Sequence, residues 1–455
     1  MKDFLKKYKF NLLVLLLLSL TLPLFFYKLG QSSLVNWDEA WYASISRNIL
    51  HTGDIFNLKW NGQPYLDHPP FGFWLEALSF KIFGVNEFWA RFPQAVAGFL
   101  TLFVTYLLGK KLFNSWVGFF SGLFLSSSIW FIYRARSGNL DSLLTLMFVL
   151  TFYLSLKSVK NSRWLPWLAL SLVGLILTKT VVPLTIFPSL ILIFWGQKSY
   201  SRFWAYLSIV VILTVAWFGY QYLQHPYLLT QLQDIGLRGV SVKSDYSANF
   251  TQIIRYLHDS IGKWYWPGMI GLVLSLILRQ KRLLILGVFV IVFMTPFIFS
   301  AKGHIWHLIP LHPILILLFL GGTFTCLEKF FPTKRYPLFL GVIIICGYFF
   351  IQQTRQNWFN FIDIPRYISD EAILSKEAGK YPQPLFLDGD FDPTGAFYSG
   401  KIVKKINSDD LGLIFTEPQP FILITNDWRV DKFKLDPKSY QLIKKDRDKV
   451  LLLHP

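Results

Sequence analysis

The chain is short of the residues that usually staple a small secreted or metal-bound domain. It has 2 cysteines in 455 residues, Cys326 and Cys346. They stand in or beside apolar segments without C-x-x-C spacing, which excludes a disulfide framework and a zinc ribbon. Charge is also scarce, at 16% of residues, against about 25% in an ordinary soluble domain. Acids are the rarer sign, with 27 Asp plus Glu against 45 Lys plus Arg, for a net charge of +18. Internal repeats and low-complexity linkers are missing too. With 53% hydrophobic residues and a mean hydropathy of +0.40, these shortages exclude a disordered chain and a conventional soluble enzyme. In a soluble protein the basic excess points to nucleic acid. In a membrane protein it reports orientation and contact with anionic lipids, so nucleic acid is not expected as a partner.

What is present is a series of long apolar runs. Leu12 to Phe26 follows the basic residues Lys2, Lys6, Lys7 and Lys9, and no small-x-small cleavage site comes after it. It therefore reads as a retained span rather than a signal peptide. Further runs lie near 88–109, 115–133, 139–156, 164–178, 181–196, 203–222, 264–278, 283–300, 305–325 and 336–352. The count is about eleven, each run close to the roughly 20 residues that cross the hydrocarbon. Loop charges test it independently. With the N-terminus inside, alternate loops hold Lys110 and Lys111, then Lys157, Lys160 and Arg163, then Lys198 and Arg202, then Arg279, Lys281 and Arg282, then Lys329, Lys334 and Arg335. That alternation is the positive-inside pattern.

The expected architecture is a polytopic α-helical membrane protein with a C-terminal extracytoplasmic α/β domain. Residues 1–353 form the transmembrane module and 354–455 the soluble domain. A first outer loop, 29–87, contains helical patterns at Asp38 to Leu50 and Pro70 to Phe83, separated by the turn-rich His51 to His68. A second outer loop, 223–263, is polar with aromatic residues. In the tail, Pro384 to Asp388, Phe421 to Thr425 and Val450 to Leu453 read as buried strands, and Ser369 to Gly379 as a helix.

The first loop carries Trp37-Asp38-Glu39-Ala40-Trp41-Tyr42 at a helix start, and Tyr65-Leu66-Asp67-His68-Pro69-Pro70 before the next helix. Acids at a helix N-terminus cap free N–H groups and complement the dipole. So placed at a membrane surface, Asp38, Glu39 and Asp67 can also act as a general base, bind a divalent metal or hold a sugar hydroxyl. Basic residues stand at the outer helix ends, where the positive-inside rule does not put them: Arg134, Arg136, Lys179, Arg238 and Lys302. Each alone can snorkel to headgroups. Several on one face fit a buried anion, and phosphate suits Arg forks and a Lys point charge. Asp141, at or just inside a span, is expected to pair with Arg134 or Arg136 rather than act as catalyst. His304 and His307 have helical spacing for a metal, but no third ligand is evident, and a hydrogen bond to phosphate or sugar is an equal alternative.

In this order and topology the motifs resemble the GT-C membrane glycosyltransferases, in the protein mannosyltransferase-like branch that includes the lipid A aminoarabinose transferases. The resemblance rests on Asp38, Glu39 and Tyr42, on Asp67, His68, Pro69 and Pro70 followed by Trp74, and on Arg136 to Asp141. It rests further on Leu177-Thr178-Lys179, on Leu308 to Pro313, and on Gly389 to Phe397-Tyr398-Ser399-Gly400. It implies a polyprenyl-phosphate-sugar donor and a lipid, glycan or protein acceptor on the extracytoplasmic face. Asp38 would be the general base, and Arg136, Lys179, His68, Arg134 and Arg238 the phosphate partners. Tyr42, Asp141, His304 and His307 would serve around sugar or acceptor. Two departures stand out: Trp41 where the aminoarabinose transferases have Arg, and His68 where they have Lys. The metal-linked His of some members has no match near Gln231 to Arg238, so a metal stays open. A lipid transporter or flippase is the alternative; against it, the acids cluster in an outer loop and the halves show no repeat.

Overall fold

A computed structural model describes residues 2–237, 246–299, 303–407, 409, 411–416 and 418–455. The chain is mostly helical. In order, the N-terminal half contains α1 (Lys2–Phe26), α2 (Asp38–Thr52), α3 (Phe71–Phe83), α4 (Glu87–Leu112), α5 (Ser115–Leu125), α6 (Ile129–Ala135), α7 (Asp141–Lys160), α8 (Leu165–Ile176) and α9 (Phe187–Phe194). There follow α10 (Tyr200–Gln224), α11 (Leu228–Leu237), α12 (Tyr246–Ile261), α13 (Tyr265–Leu278), α14 (Lys281–Ile298), α15 (Leu311–Phe330) and α16 (Arg335–Asn357). Among the described residues, 7 helices are long and apolar enough to cross a membrane, or 8 if α5 and α6 form one broken span. Leu12–Phe26, Ser162–Ile176 and Val182–Phe194 are shorter apolar helices.

Three expectations are corrected. The run at 115–133 is not one helix, because α5 and α6 meet at a bend of 70°. Its cause is Ser126-Ser127-Ser128, where the Ser126 and Ser127 hydroxyls bond back to the carbonyls of Leu123 (2.6 Å) and Phe124 (2.8 Å) and compete with the helix ladder. The backbone left over is satisfied internally, as it must be inside a bilayer. The Ser127 carbonyl accepts from Gln353 (2.8 Å) and Asn357 (2.7 Å), and His312 bridges the Ser128 and Ser260 hydroxyls at 2.8 and 3.0 Å. Those contacts also explain why the last apolar helix outruns 336–352, continuing through a π turn to Ile362. Second, the described residues of the expected outer loop 223–263 are largely helical, in α11 (Leu228–Leu237) and α12 (Tyr246–Ile261). In α12 the buried Ile253, Leu257 and Ile261 recur every fourth residue and make an apolar stripe. Third, the run expected from 305 begins as a 3₁₀ turn, Ile305–Leu308, and its α-helix starts at Leu311.

The chain packs as two units. The first, Met1–Lys28, Leu66–Gly72 and Gln94–Ile364, is the helical bundle. The second, Leu29–Tyr65, Phe73–Pro93 and Pro365–Pro455, joins segments far apart in sequence. It contains a hairpin, β1 (Lys59–Trp60) and β2 (Gln63–Pro64), then α17 (Asp370–Ala378), β3 (Leu385–Leu387), α18 (Asp392–Ser399), β4 (Val403–Lys405), β5 (Phe421–Asn426), β6 (Gln441–Asp446) and β7 (Lys449–His454). The larger sheet runs β4-β3-β5-β7-β6. β3 is parallel to β4 and β5, and β7 is antiparallel to both β5 and β6. Period-two alternation gives it two apolar faces, Leu385, Leu387, Ile422 and Ile424 on one and Phe421, Leu423, Val450 and Leu452 on the other. The expected tail helix and three strands are all present, with ends shifted by a residue or two.

Candidate active site

In the first unit the chemistry gathers around Asp141. Helix α6 ends with Arg134 in its last turn, and α7 begins at Asp141. Asn139 shapes the connection. Its amide nitrogen donates to the carbonyls of Arg134 (2.7 Å) and Ser137 (2.9 Å), and its side-chain oxygen accepts from the Asp141 N–H (2.8 Å). The Asp141 carboxylate is thereby aimed at two cations. Arg134 Nε donates to Oδ2 at 2.8 Å, and Lys179 Nζ to Oδ1 at 2.8 Å. The side chains of Arg134 and Lys179 are 12% and 13% exposed against 2% for Asp141, so ligand can reach the cations but hardly the carboxylate. Of the two expected partners for Asp141, the structure pairs Arg134. Arg136 instead donates to the carbonyls of Leu24 (3.2 Å) and Tyr27 (2.8 Å), at the C-terminal end of α1.

The Asp67-His68-Pro69-Pro70 segment reaches the same neighbourhood. The Phe71 N–H donates to the Leu177 carbonyl at 3.0 Å, tying the segment to Leu177-Thr178-Lys179. Gly72 permits the approach, since a Cβ there would stand 2.2 Å from a Leu140 methyl. Asp67 accepts a 2.8 Å hydrogen bond from Gln231, a partner the sequence did not single out. His68, Lys179, Asp141 and His304 all lie within electrostatic reach of His307. The two histidines are engaged by rings. His304 stacks on Trp306 at 4.5 Å, Trp306 carries the Arg134 guanidinium over its face at 5.3 Å, and His307 lies against Phe297 at 5.4 Å. Among the described residues no group of three or more His, Cys, Asp or Glu is arranged to hold a metal ion. Arg238 and Lys302 lie outside the described residues.

In the second unit Asp38 and Glu39 occupy the first turn of α2, as read, but their surroundings differ. Asp38 is half-buried, whereas Glu39 is buried and fully committed. Its carboxylate takes both prongs of Arg91, Nε to Oε1 and Nη2 to Oε2 at 2.9 Å each, and also accepts from the Val35 N–H at 2.8 Å. Arg91 spends its other donors on the carbonyls of Leu29, Ser32 and Ser33 at 2.9, 2.9 and 3.0 Å. Through Arg91, Glu39 holds the Leu29 to Ser33 stretch at the start of the loop. Tyr42 is likewise buried, packing edge-on against Phe73 at 5.3 Å.

The comparisons with known proteins bear out the resemblance. Residues 67–218 match the family described as dolichyl-phosphate-mannose-protein mannosyltransferase. An uncharacterized protein of Aquifex aeolicus is 35% identical over 219 residues, 46% of this chain and 44% of the relative. The undecaprenyl phosphate-alpha-4-amino-4-deoxy-L-arabinose arabinosyl transferase of Pseudomonas savastanoi pv. phaseolicola is 34% identical over 162 residues, 34% of this chain and 29% of the relative. The matched stretches thus span less than half of these relatives. Among solved structures, ArnT from Cupriavidus metallidurans bound to undecaprenyl phosphate superposes with a TM-score of 0.75 at 17% identity, covering 97% of both chains. The oligosaccharyltransferase AglB from Archaeoglobus fulgidus, in complex with an inhibitory peptide and a dolichol-phosphate, gives 0.57 at 13% identity, over 88% of this chain and 64% of the other. The fold is that of the GT-C membrane proteins, and the chain is a multi-pass membrane protein.

Proposed function

We propose that this chain is a glycosyltransferase that moves a sugar from a polyprenyl-phosphate donor to an acceptor hydroxyl or phosphate on a lipid, glycan or protein. The reaction runs on the extracytoplasmic face, with the N-terminus cytoplasmic and the α/β domain outside. The observation that carries this reading is two cations sharing one buried carboxylate. Asp141 offsets one positive charge of the pair Arg134 and Lys179, and Lys179 uses one of the three donors of its ammonium on it. The remainder suits a phosphate. The names of the relatives, with donors built on undecaprenyl and dolichyl phosphate, support the same donor class.

Departing lipid phosphate is already a stable anion, so cations suffice and no general acid is required. Arg134 and Lys179, with His68 beside them, stabilise the charge that develops as the sugar leaves. Arg136 acts as a positioning residue, because its donors hold the end of α1. The acceptor needs a base, and Asp38 is assigned that role, while Asp67, oriented by Gln231, binds sugar or acceptor. Direct displacement inverts the anomeric centre.

The test is incubation of purified protein with radiolabelled polyprenyl-phosphate sugars and total envelope acceptors. Transfer labels an acceptor and releases lipid phosphate; relocation of intact lipid alone would replace this reading with a flippase. Asp38→Asn is expected to insert normally and lose about 10²- to 10⁴-fold in rate. Wild-type rates in that variant would overturn the assignment of the base.

A further inference from the structure

A second basic site stands in the second unit, built from residues not used above. The C-terminal half of α2, the β1–β2 hairpin and the chain after α18 enclose a pocket lined by Arg47, His51, Lys59 and Lys401, with no Asp or Glu among its lining residues. Asp54 is in electrostatic reach of Lys59, but its carboxylate is occupied by Asn57 and the Phe56 and Asn57 N–H groups. The basic groups are held in place. Arg47 Nη1 donates to the Phe397 carbonyl at 2.5 Å and its Nε to His51 Nε2 at 3.3 Å, and Lys401 Nζ donates to the Gln383 carbonyl at 2.6 Å and to the Tyr381 carbonyl. Gly400, at φ 71, leaves space for the guanidinium, because a Cβ there would lie 2.5 Å from Nη2. Asn61 pins the hairpin turn to β4 by exchanging two hydrogen bonds with Val403, at 2.8 and 2.9 Å, which anchors the hairpin that carries Lys59. Burial lowers the pKa of both Arg47 and Lys401, as expected for desolvated cations without a facing carboxylate.

The pocket is distinct from the place of Asp38. Arg47 lies nine residues further along α2 (47 − 38), about 13.5 Å along the axis and on the opposite face of the helix. Its interior gives the centre of a water-sized sphere about 80 Å³, where roughly 10–15 Å³ holds one water. That is room for one anionic group and a few waters, not for a sugar chain. With Arg47 Nε and Nη1 and two of the Lys401 donors engaged by the protein, Arg47 Nη2, the remaining Lys401 donor and the Lys59 ammonium are the donors left for a tetrahedral phosphate.

We propose that this pocket is an anion subsite that binds a phosphate group carried by a glycan or a lipid headgroup, in addition to the residues assigned to sugar transfer. The test uses full-length protein carrying Lys179→Ala, which weakens the other phosphate candidate. Calorimetric titration with glucose 6-phosphate should saturate, and glucose should not bind. Lys59→Gln, an exposed position that leaves the fold intact, should weaken binding about tenfold, and Arg47→Lys at least as much. Nanodiscs containing phosphatidic acid that compete with glucose 6-phosphate, when phosphatidylcholine discs do not, assign a lipid source; absence of competition assigns a glycan. No saturable binding, or unchanged affinity in both variants, would overturn the proposal, whether or not the transferase reading stands.

Discussion

Two buried carboxylates, Asp141 in the helical unit and Glu39 in the other, each meet an arginine, yet they do opposite things. Glu39 takes one cation, Arg91, whose remaining donors go to three backbone carbonyls, so the group is neutral and closed. Their side chains are 5% and 8% exposed. Asp141 takes two cations, and both keep an exposed edge. The lesson is that the presence of an ion pair says little. Whether donors and charge are used up separates a clamp from a binding site.

The largest expected effect tests the closed pair. Arg91→Ala leaves Glu39 buried without its partner and three carbonyls without donors, which costs about 3–5 kcal/mol. Thermal denaturation and protease resistance of the full-length protein should both collapse; a variant as stable as wild type would break the distinction. Lys179→Ala comes next and should act on the open site. Arg134 still neutralises Asp141, so the fold survives, while the donor concentration for half-maximal transfer rises about tenfold, the equivalent of one charge-assisted contact. An effect confined to acceptor dependence would remove Lys179 from the phosphate site. Arg136→Ala, by contrast, should lower the melting temperature through loss of its bonds to the Leu24 and Tyr27 carbonyls, with donor dependence moving less than in Lys179→Ala. Measuring both quantities in both variants sharpens the comparison within the helical unit.

Much of this was legible in the sequence because hydropathy and cap chemistry are local. The apolar runs, the α2 start at Asp38 and the alternating tail strands follow from patterns a few residues long. Even the second cation of the Asp141 cluster was visible, as a Lys on the wrong side for the positive-inside rule. Pairings at long range were not legible. Arg91 lies inside an ordinary apolar run, 52 residues from Glu39, and nothing nearby marks it as the partner. The same holds for Gln231, 164 residues from Asp67, and for Gln353, which supports the Ser127 break from 226 residues away. A serine triplet in a 19-residue apolar run gives a hydropathy signal almost as strong as an unbroken helix. Only the buried partners of its backbone reveal the bend.

A third buried acid, Glu76, extends the comparison to a carboxyl with no cation bonded to it among the described residues. On α3 it is 6% exposed, accepts from the Ser46 hydroxyl at 2.8 Å, and has no hydrogen-bond partner for its other oxygen. Burial, reinforced by nearby Glu39, pushes its pKa up from 4.5 to about 8. It is therefore neutral where Glu39 and Asp141 are charged. Because the folded pKa is the raised one, the stabilisation is complete below the unfolded value and is lost as pH rises towards the folded one. Glu76→Gln should change stability little at pH 5, the smallest effect of the series. As pH climbs from 5 to 8 the wild type should lose up to about 1.4 kcal/mol per pH unit from this group, and the variant none of it. Parallel melting-temperature curves for the two proteins across that range would mean that Glu76 is ionised in the fold, and that a cation near it has yet to be found.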